Sequence, residues 1–275
     1  MTDFTPWIGR HEIRTDTLSA AHCARVAALF DHTTAPALGD PLPPLWHWCF
    51  FTPDAPQAQM GADGHPKLGD FLPPIPQPRR MWAGGRLRFL RPLRVGELVT
   101  RETEILSITE KTGRQGALVF VTLRHQLSGA EGLAIEEEQD IVYRSPSTTQ
   151  RPAPGDPAPA EWRDPVTPDP VMLFRYSALT FNAHRIHYDL PYATGEEGYP
   201  ALVVHGPLTA TLLMAAALRH TGRRPTGFTF RGLAPLFADA PFALCGTQTG
   251  DGATLWAEGP GGYTAMSATF TSEAP

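Results

Sequence analysis

One helix limits what this chain can become. Residues 207–219 open with Pro207, a favoured first helical position, and run Leu-Thr-Ala-Thr-Leu-Leu-Met-Ala-Ala-Ala-Leu. The segment is apolar nearly all round, so it must be buried on every side. A curved antiparallel sheet wrapped around it satisfies that demand. A lone helix packed on one flat face does not.

A second feature says how many such units to expect. Arg88-Phe89-Leu90-Arg91-Pro92-Leu93 returns as Arg231-Gly232-Leu233-Ala234-Pro235-Leu236, an offset of 143 residues (231 − 88). Strand-like runs follow each copy. Residues 98–108, 117–127 and 133–143 follow the first, and 241–249, 253–258 and 263–271 the second. Gly-containing turns separate most of them, as in antiparallel hairpins. A helix-like stretch precedes each copy: 207–219 before the second, and 17–31 before the first, with Thr17 as its expected N-cap. The expected architecture is α+β, two such units side by side around two helices. Residues 144–170 carry eight prolines and few apolar side chains, which favours an extended linker between the halves. The division is then 1–143, a linker at 144–170, and 171–275. Residues 36–78 are also proline-rich, but Trp46, Trp48, Phe50, Phe51 and Phe71 punctuate them, so this loop is expected to pack on something and to serve function.

Bulk properties exclude several classes. With 275 residues, 42% hydrophobic and 19% charged, the chain suits a folded globular protein of one large or two smaller domains. A net charge of −5 offers no basic field for nucleic acid. Three scattered cysteines, Cys23, Cys49 and Cys245, with no CxxC pair, fit a reducing compartment better than a disulfide scaffold or thiolate zinc site. No apolar run reaches the roughly 20 residues of a membrane span. The first residues do not read as a signal peptide, so a cytoplasmic protein is expected.

Chemistry concentrates at 174–214. Asn182, His184, His187, Asp189 and His205 lie close in sequence, and a His-Gly-Pro step opens the apolar helix. Histidine titrates nearest physiological pH and is the usual proton-transfer residue. A helix N-terminus presents unpaired N–H groups to an anion. Together they suit addition of water to a carbonyl-conjugated double bond. Asn182 and His187 are five positions apart, about 140° on a helix, so they cannot face one point unless the helix ends near Asn182. His184 and His187 have i, i+3 spacing, but there is no HExxH and no matching third ligand in sequence, so neither metal nor cofactor is expected.

The stretch from Tyr176 to His187, with Val203-Val204-His205-Gly206-Pro207-Leu208, resembles the MaoC-like (R)-specific enoyl-thioester hydratases and dehydratases. Within them it is similar to the double-hot-dog branch that includes hydroxyacyl-thioester dehydratase type 2 and the mesaconyl-C4-CoA and itaconyl-CoA hydratases. Arg79-Arg80-Met81-Trp82-Ala83-Gly84-Gly85 and Trp7-Ile8-Gly9-Arg10 also look like that branch. The resemblance implies a hot-dog fold in each half, each sheet wrapping a central helix. It implies a hydro-lyase that reversibly hydrates an enoyl-CoA, with a short branched dicarboxylyl-CoA as the expected substrate and water as co-substrate.

The family's pattern is Asp-x-Asn-Pro-aliphatic-His. Here Arg185-Ile186-His187 stands at its end, so His187 takes the catalytic histidine's place. Asn182 stands where the acid belongs, and His184 at the Asn position. Neutral Asn182 cannot take a proton but can orient a water. Gly206 is the expected oxyanion donor through its backbone N–H. Arg175, Arg79, Arg80, Trp82 and His205 are the expected substrate-binding residues, the arginines for CoA phosphates or a free carboxylate. The first half, around Gly39-Asp40-Pro41, has no histidine like His187, so one active and one degenerate half are expected. A dehydratase of fatty acid synthesis, a hot-dog thioesterase and a non-catalytic acyl-thioester binder remain alternatives. A homodimer is compatible with this reading.

Overall fold

The computed structural model describes residues 3–113, 116–146 and 151–273. In chain order the elements are β1 (His11–Thr17), α1 (Ala20–Leu29), β2 (Arg79–Phe89), β3 (Leu98–Gly113), β4 (Gly116–Gly129) and β5 (Gly132–Arg144). There follow β6 (Trp162–Val166), α2 (Pro170–Thr180), α3 (Leu190–Gly195), α4 (Gly206–Thr221), β7 (Pro225–Gly232), β8 (Phe242–Thr249), β9 (Gly252–Glu258) and β10 (Thr264–Ser272).

All ten strands form one antiparallel sheet in the order β1-β3-β4-β5-β2-β7-β10-β9-β8-β6. The order reads the same from both edges: β1 answers to β6, β3 to β8, β4 to β9, β5 to β10 and β2 to β7. Duplication is therefore written into the topology, and the paired Arg-x-Leu-x-Pro-Leu segments start at the ends of the two central strands. The halves join at the β2–β7 ladder, where Gly84 faces Arg231 and Leu87 faces Phe228.

Helix α4 explains the curvature of the second half-sheet. Leu208, Ala210, Leu213, Met214, Ala216 and Ala217 are buried in one cluster with Phe228, Phe230, Leu244, Leu255, Ala257, Ala268 and Phe270. The strand residues come from alternate positions, as a sheet with one face on a core requires. The helix ends at Gly222, whose φ of 65° gives the left-handed C-cap.

The first half has a different filling. Helix α1 packs against its counterpart α2, where His22 Nε2 lies 3.1 Å from the Leu179 carbonyl. Its N-cap is Ser19, which accepts from the His22 N–H; Thr17, the expected cap, is the last residue of β1. In the position equivalent to α4 stands only a short 3-10 turn, Trp46–Cys49. Pro36, Pro41, Pro43 and Pro44 deny that segment the N–H groups of a long helix. Trp46, Cys49, Phe50 and Phe51 instead pack with the first half-sheet's Leu87, Leu127 and Ile135. The stretch read as a linker also differs, because residues 162–166 form β6 and pair with β8 at the sheet edge. Proline is tolerated there because an edge strand has one unpaired side.

Since Leu213 is fully buried inside the wrapped helix, Leu213→Ala should cost about 2–5 kcal/mol of stability. Urea denaturation of both proteins measures it, and an unchanged midpoint would contradict the packing described.

Candidate active site

Helix α2 stops at Thr180. Phe181 caps it with φ 49°, a left-handed value unusual for a bulky residue. The chain then leaves the helix before Asn182, as the five-residue spacing to His187 requires. Asn182 Oδ1 accepts from the His184 backbone N–H at 3.0 Å, an Asx turn that leads into the short turn Arg185–His187. Since a backbone N–H can only donate, this assigns the side-chain oxygen and leaves the Asn182 NH₂ group facing outward to donate.

His187 is buried, and its Nδ1 lies 2.7 Å from the Val203 carbonyl. A carbonyl only accepts, so Nδ1 carries the hydrogen and Nε2 keeps its lone pair when the ring is neutral. Burial pushes the His187 pKa down to about 4, against the opposing pull of the Val203 carbonyl. The ring is thus a neutral base at physiological pH. Behind it His205 stacks at 3.6 Å between ring centroids, and His184 stands edge-on at 5.4 Å. Burial, followed by neighbouring histidines, also depresses His184 and His205.

His187, Asn182, His184 and Gly206 line one cavity of about 1750 Å³ that runs between the halves. Gly206 is the first residue of α4, and no acceptor is found for its N–H among the described residues. A Cβ there would meet only the Trp82 carbonyl, at 3.8 Å, so space does not force glycine. Its absence leaves the amide open to a ligand. Arg80 and Trp82 enter the cavity from β2; Trp82 lies edge-on to Trp48 at 4.9 Å.

Three expected binding residues take other roles. Arg175 is exposed on α2 and is not part of the cavity wall, because its position falls on the helix face opposite the core. Arg79 is turned away to pair with Glu197 and the Glu196 carbonyl. His205 sits behind His187 rather than in the wall, with Nε2 2.9 Å from Ser177 Oγ.

Other residues in the wall were not legible in sequence. His65 comes from the proline-rich loop, with Asp63 paired to it from the same loop. Asp63, His65 and His184 bring one ligand atom each within 4.8 Å of one another, the group among the described residues that could hold a metal ion. Burial first, and the nearby Arg80 cation in addition, depress His65 and His184, and that same cation would repel a metal ion held there. The first half contributes a buried polar group: His47 Nε2 is 3.0 Å from Glu137 Oε2, Trp48 donates to Glu137 at 2.9 Å, and His125 lies between Thr103 and Gln139. Burial would raise the Glu137 carboxyl, but the hydrogen bond from His47 and the neighbouring donors hold it below its ordinary value. Asp40, by contrast, only closes a turn by accepting from the Ala37 N–H.

Comparison with known proteins agrees with this construction. Residues 45–238 match the family model of hydroxyacyl-thioester dehydratase type 2. The chain belongs to that family. It is 54% identical to a mesaconyl-C(4)-CoA hydratase of Chloroflexus aurantiacus, over 97% of each chain. It is 31% identical to the mitochondrial hydroxyacyl-thioester dehydratase type 2 of Schizosaccharomyces pombe, covering 78% of this chain and 80% of that one. Among solved structures, a MaoC-like dehydratase superposes with a TM-score of 0.71 at 14% identity, over 99% of this chain and 100% of that one. The fold is the double hot-dog. No helix among the described residues is long and apolar enough to cross a membrane.

The depressed histidines carry a consequence for stability. An unfolded imidazole titrates near 6.5, whereas His187 resists protonation until about 4. The unfolded chain binds more protons across that window, so stability is full above it and falls as pH drops from 6.5 towards 4. Urea midpoints measured across this range should decline; a constant midpoint would show that the imidazoles are not buried neutral.

Proposed function

We infer that the chain catalyses reversible addition of water to an α,β-unsaturated acyl-CoA, with a short, carboxylated acyl group of the mesaconyl-C4-CoA class as substrate. One observation carries the reading. A neutral His187, locked with its Nε2 lone pair available, shares a cavity with the free Gly206 N–H at the start of α4.

The chemistry follows from that pairing. Water gives a proton to His187 Nε2 as its oxygen attacks the β-carbon. The double-bond electrons move onto the thioester oxygen, which gains negative charge. The Gly206 N–H and the α4 dipole meet that charge, a contribution of roughly 3–4 kcal/mol for one such donor. The imidazolium then returns the proton to the α-carbon. One group serves both steps, so addition is syn. Asn182, with its oxygen held by the His184 N–H, donates from its NH₂ group to the water.

The relatives support the class of substrate, and so does the wall of the cavity. His47, Glu137, His125, Gln139 and Arg101 set a polar patch into its largely apolar first-half side. A fatty tail lying on this patch would face polar groups with no hydrogen bond to offer them. A small polar acyl group has one to offer. In this reading residues 171–275 carry the reaction, and residues 1–143 shape the cavity. Arg80 and Trp82 are the binding residues kept from the sequence reading.

The test is a panel of enoyl-CoA esters followed by loss of enoyl absorbance, with product chirality. His187→Ala should lower kcat/KM by about 10²–10⁴ while leaving the far-UV spectrum unchanged. Release of free thiol in place of hydration would make the chain a thioesterase. Near-normal turnover by the variant would remove the mechanism.

A further inference from the structure

The long proline-rich loop places His65 in the wall of the same cavity, with the Asp63 carboxylate paired to its ring. Its tip is a tight turn: the Gly61 N–H donates to the His65 carbonyl at 2.7 Å, and the Gly64 N–H to the Gly61 carbonyl at 3.1 Å. The tip is seated on the loop that holds His187. Arg185 donates from its backbone N–H to the Asp63 carbonyl at 2.9 Å and from Nη1 to the Ala62 carbonyl at 3.0 Å. The two backbones meet at Gly64, where a Cβ would lie 1.8 Å from the Ala183 carbonyl oxygen. Its φ of +89° also favours glycine.

At that tip Asp63 holds His65 twice. The His65 backbone N–H donates to Oδ1 at 3.0 Å, and Nδ1 lies 2.8 Å from Oδ2. A carboxylate only accepts, so Nδ1 carries the hydrogen and Nε2 of the neutral ring is an acceptor. The ring packs on His184 at 4.2 Å, and His184 in turn stands against His187.

The reaction inferred above leaves one hydrogen unassigned. Attacking water gives one hydrogen to His187 and receives a hydrogen bond from Asn182. Its second O–H needs an acceptor, and Asn182 Oδ1 already accepts from the His184 N–H while its NH₂ group is the part turned to the water. Burying an O–H without a partner is costly.

We propose that His65 Nε2 is that acceptor and that Asp63 fixes the tautomer that makes it one. The proposal rests on the hydratase reading. Atoms balance without a proton passing to His65. The hydrogen on His187 goes on to the α-carbon, while the hydrogen held by His65 stays on oxygen and becomes the product's hydroxyl hydrogen. In dehydration His65 holds the same hydrogen as the C–O bond breaks. Around His65 stand Asp63 on its own loop, Arg80 on β2, and His184 and His187 on the second-half loop.

The experiment uses the full chain with mesaconyl-C4-CoA, and compares wild type, His65→Gln and Asp63→Asn. His65→Gln should lower kcat roughly ten- to a hundredfold, the rate equivalent of one unsatisfied buried group, with KM within about twofold. Asp63→Asn keeps an oxygen for Nδ1–H and should lose less. With the anion gone, Arg80 acts on His65 unopposed, so the acid limb of kcat should move to lower pH. A loop that only props the site would raise KM or lower Tm and leave that limb in place, and this result overturns the proposal. So does activity lost to EDTA and restored by Zn²⁺, which would make Asp63, His65 and His184 metal ligands. An active wild type whose variants keep full kcat overturns this inference alone. A wild type inactive on every enoyl-CoA overturns the function as well.

Discussion

The β2–β7 ladder is the constraint on which the rest depends. Two half-sheets become one there, and the cavity lies across the join. The approach is close because glycine permits it. A Cβ on Gly84 would lie 2.5 Å from the Phe230 carbonyl oxygen, and one on Gly85 2.9 Å from the Phe230 ring. Side chains at either position would push the halves apart. Trp82, two residues before Gly84, then reaches the α4 N-terminus from the other half. The site is thus assembled by backbone proximity before any polar group takes part.

Electrostatics in the site follow from burial. His184, His187 and His205 form a cluster of neutral rings, each denied a proton first by the loss of solvent and then by neighbouring histidines, His65 in the case of His187. A positive charge on one ring would be felt by the next. Burial therefore keeps His187 as a base, and the Val203 carbonyl sets its tautomer. The first half spends its buried charge differently, in the His47–Glu137 pair beside Trp48. Such a pair fixes geometry more than it stabilises, since desolvation offsets most of its attraction.

Elements with a strong period were legible in the sequence. The six hairpin strands and α4 announced themselves by alternation, turn glycines and an all-apolar stretch. The central strands did not. β2 contains Arg79, Arg80, Gly84, Gly85, Arg86 and Arg88, a pattern that fits no half-buried strand until its partner β7 is known. β1, His-Glu-Ile-Arg-Thr-Asp-Thr, is an edge strand with no apolar face. In the site, the neighbourhood of His187 and Gly206 was readable because local spacing sets it. His65 with its partner Asp63, Glu137 and His125 were not, because only tertiary structure brings distant residues to one site. Arg175 misled because its being a cation suited to phosphates or a carboxylate says nothing about which side of α2 it occupies.

The short turn at Trp46–Cys49 has a consequence for selectivity. In the second half the concave face of the sheet is filled by α4, and in the first the equivalent space is part of the cavity wall. A ligand that enters there lies against the inner face of a sheet, where a protein keeps its own side chains. Discrimination between acyl groups then obeys the rules of interior fit. One methylene too few or too many is worth about 1–3 kcal/mol. Evolving a new preference would be a matter of resizing Trp48, Phe50 and Phe51, as one redesigns a hydrophobic interior, with the reacting groups left where they are.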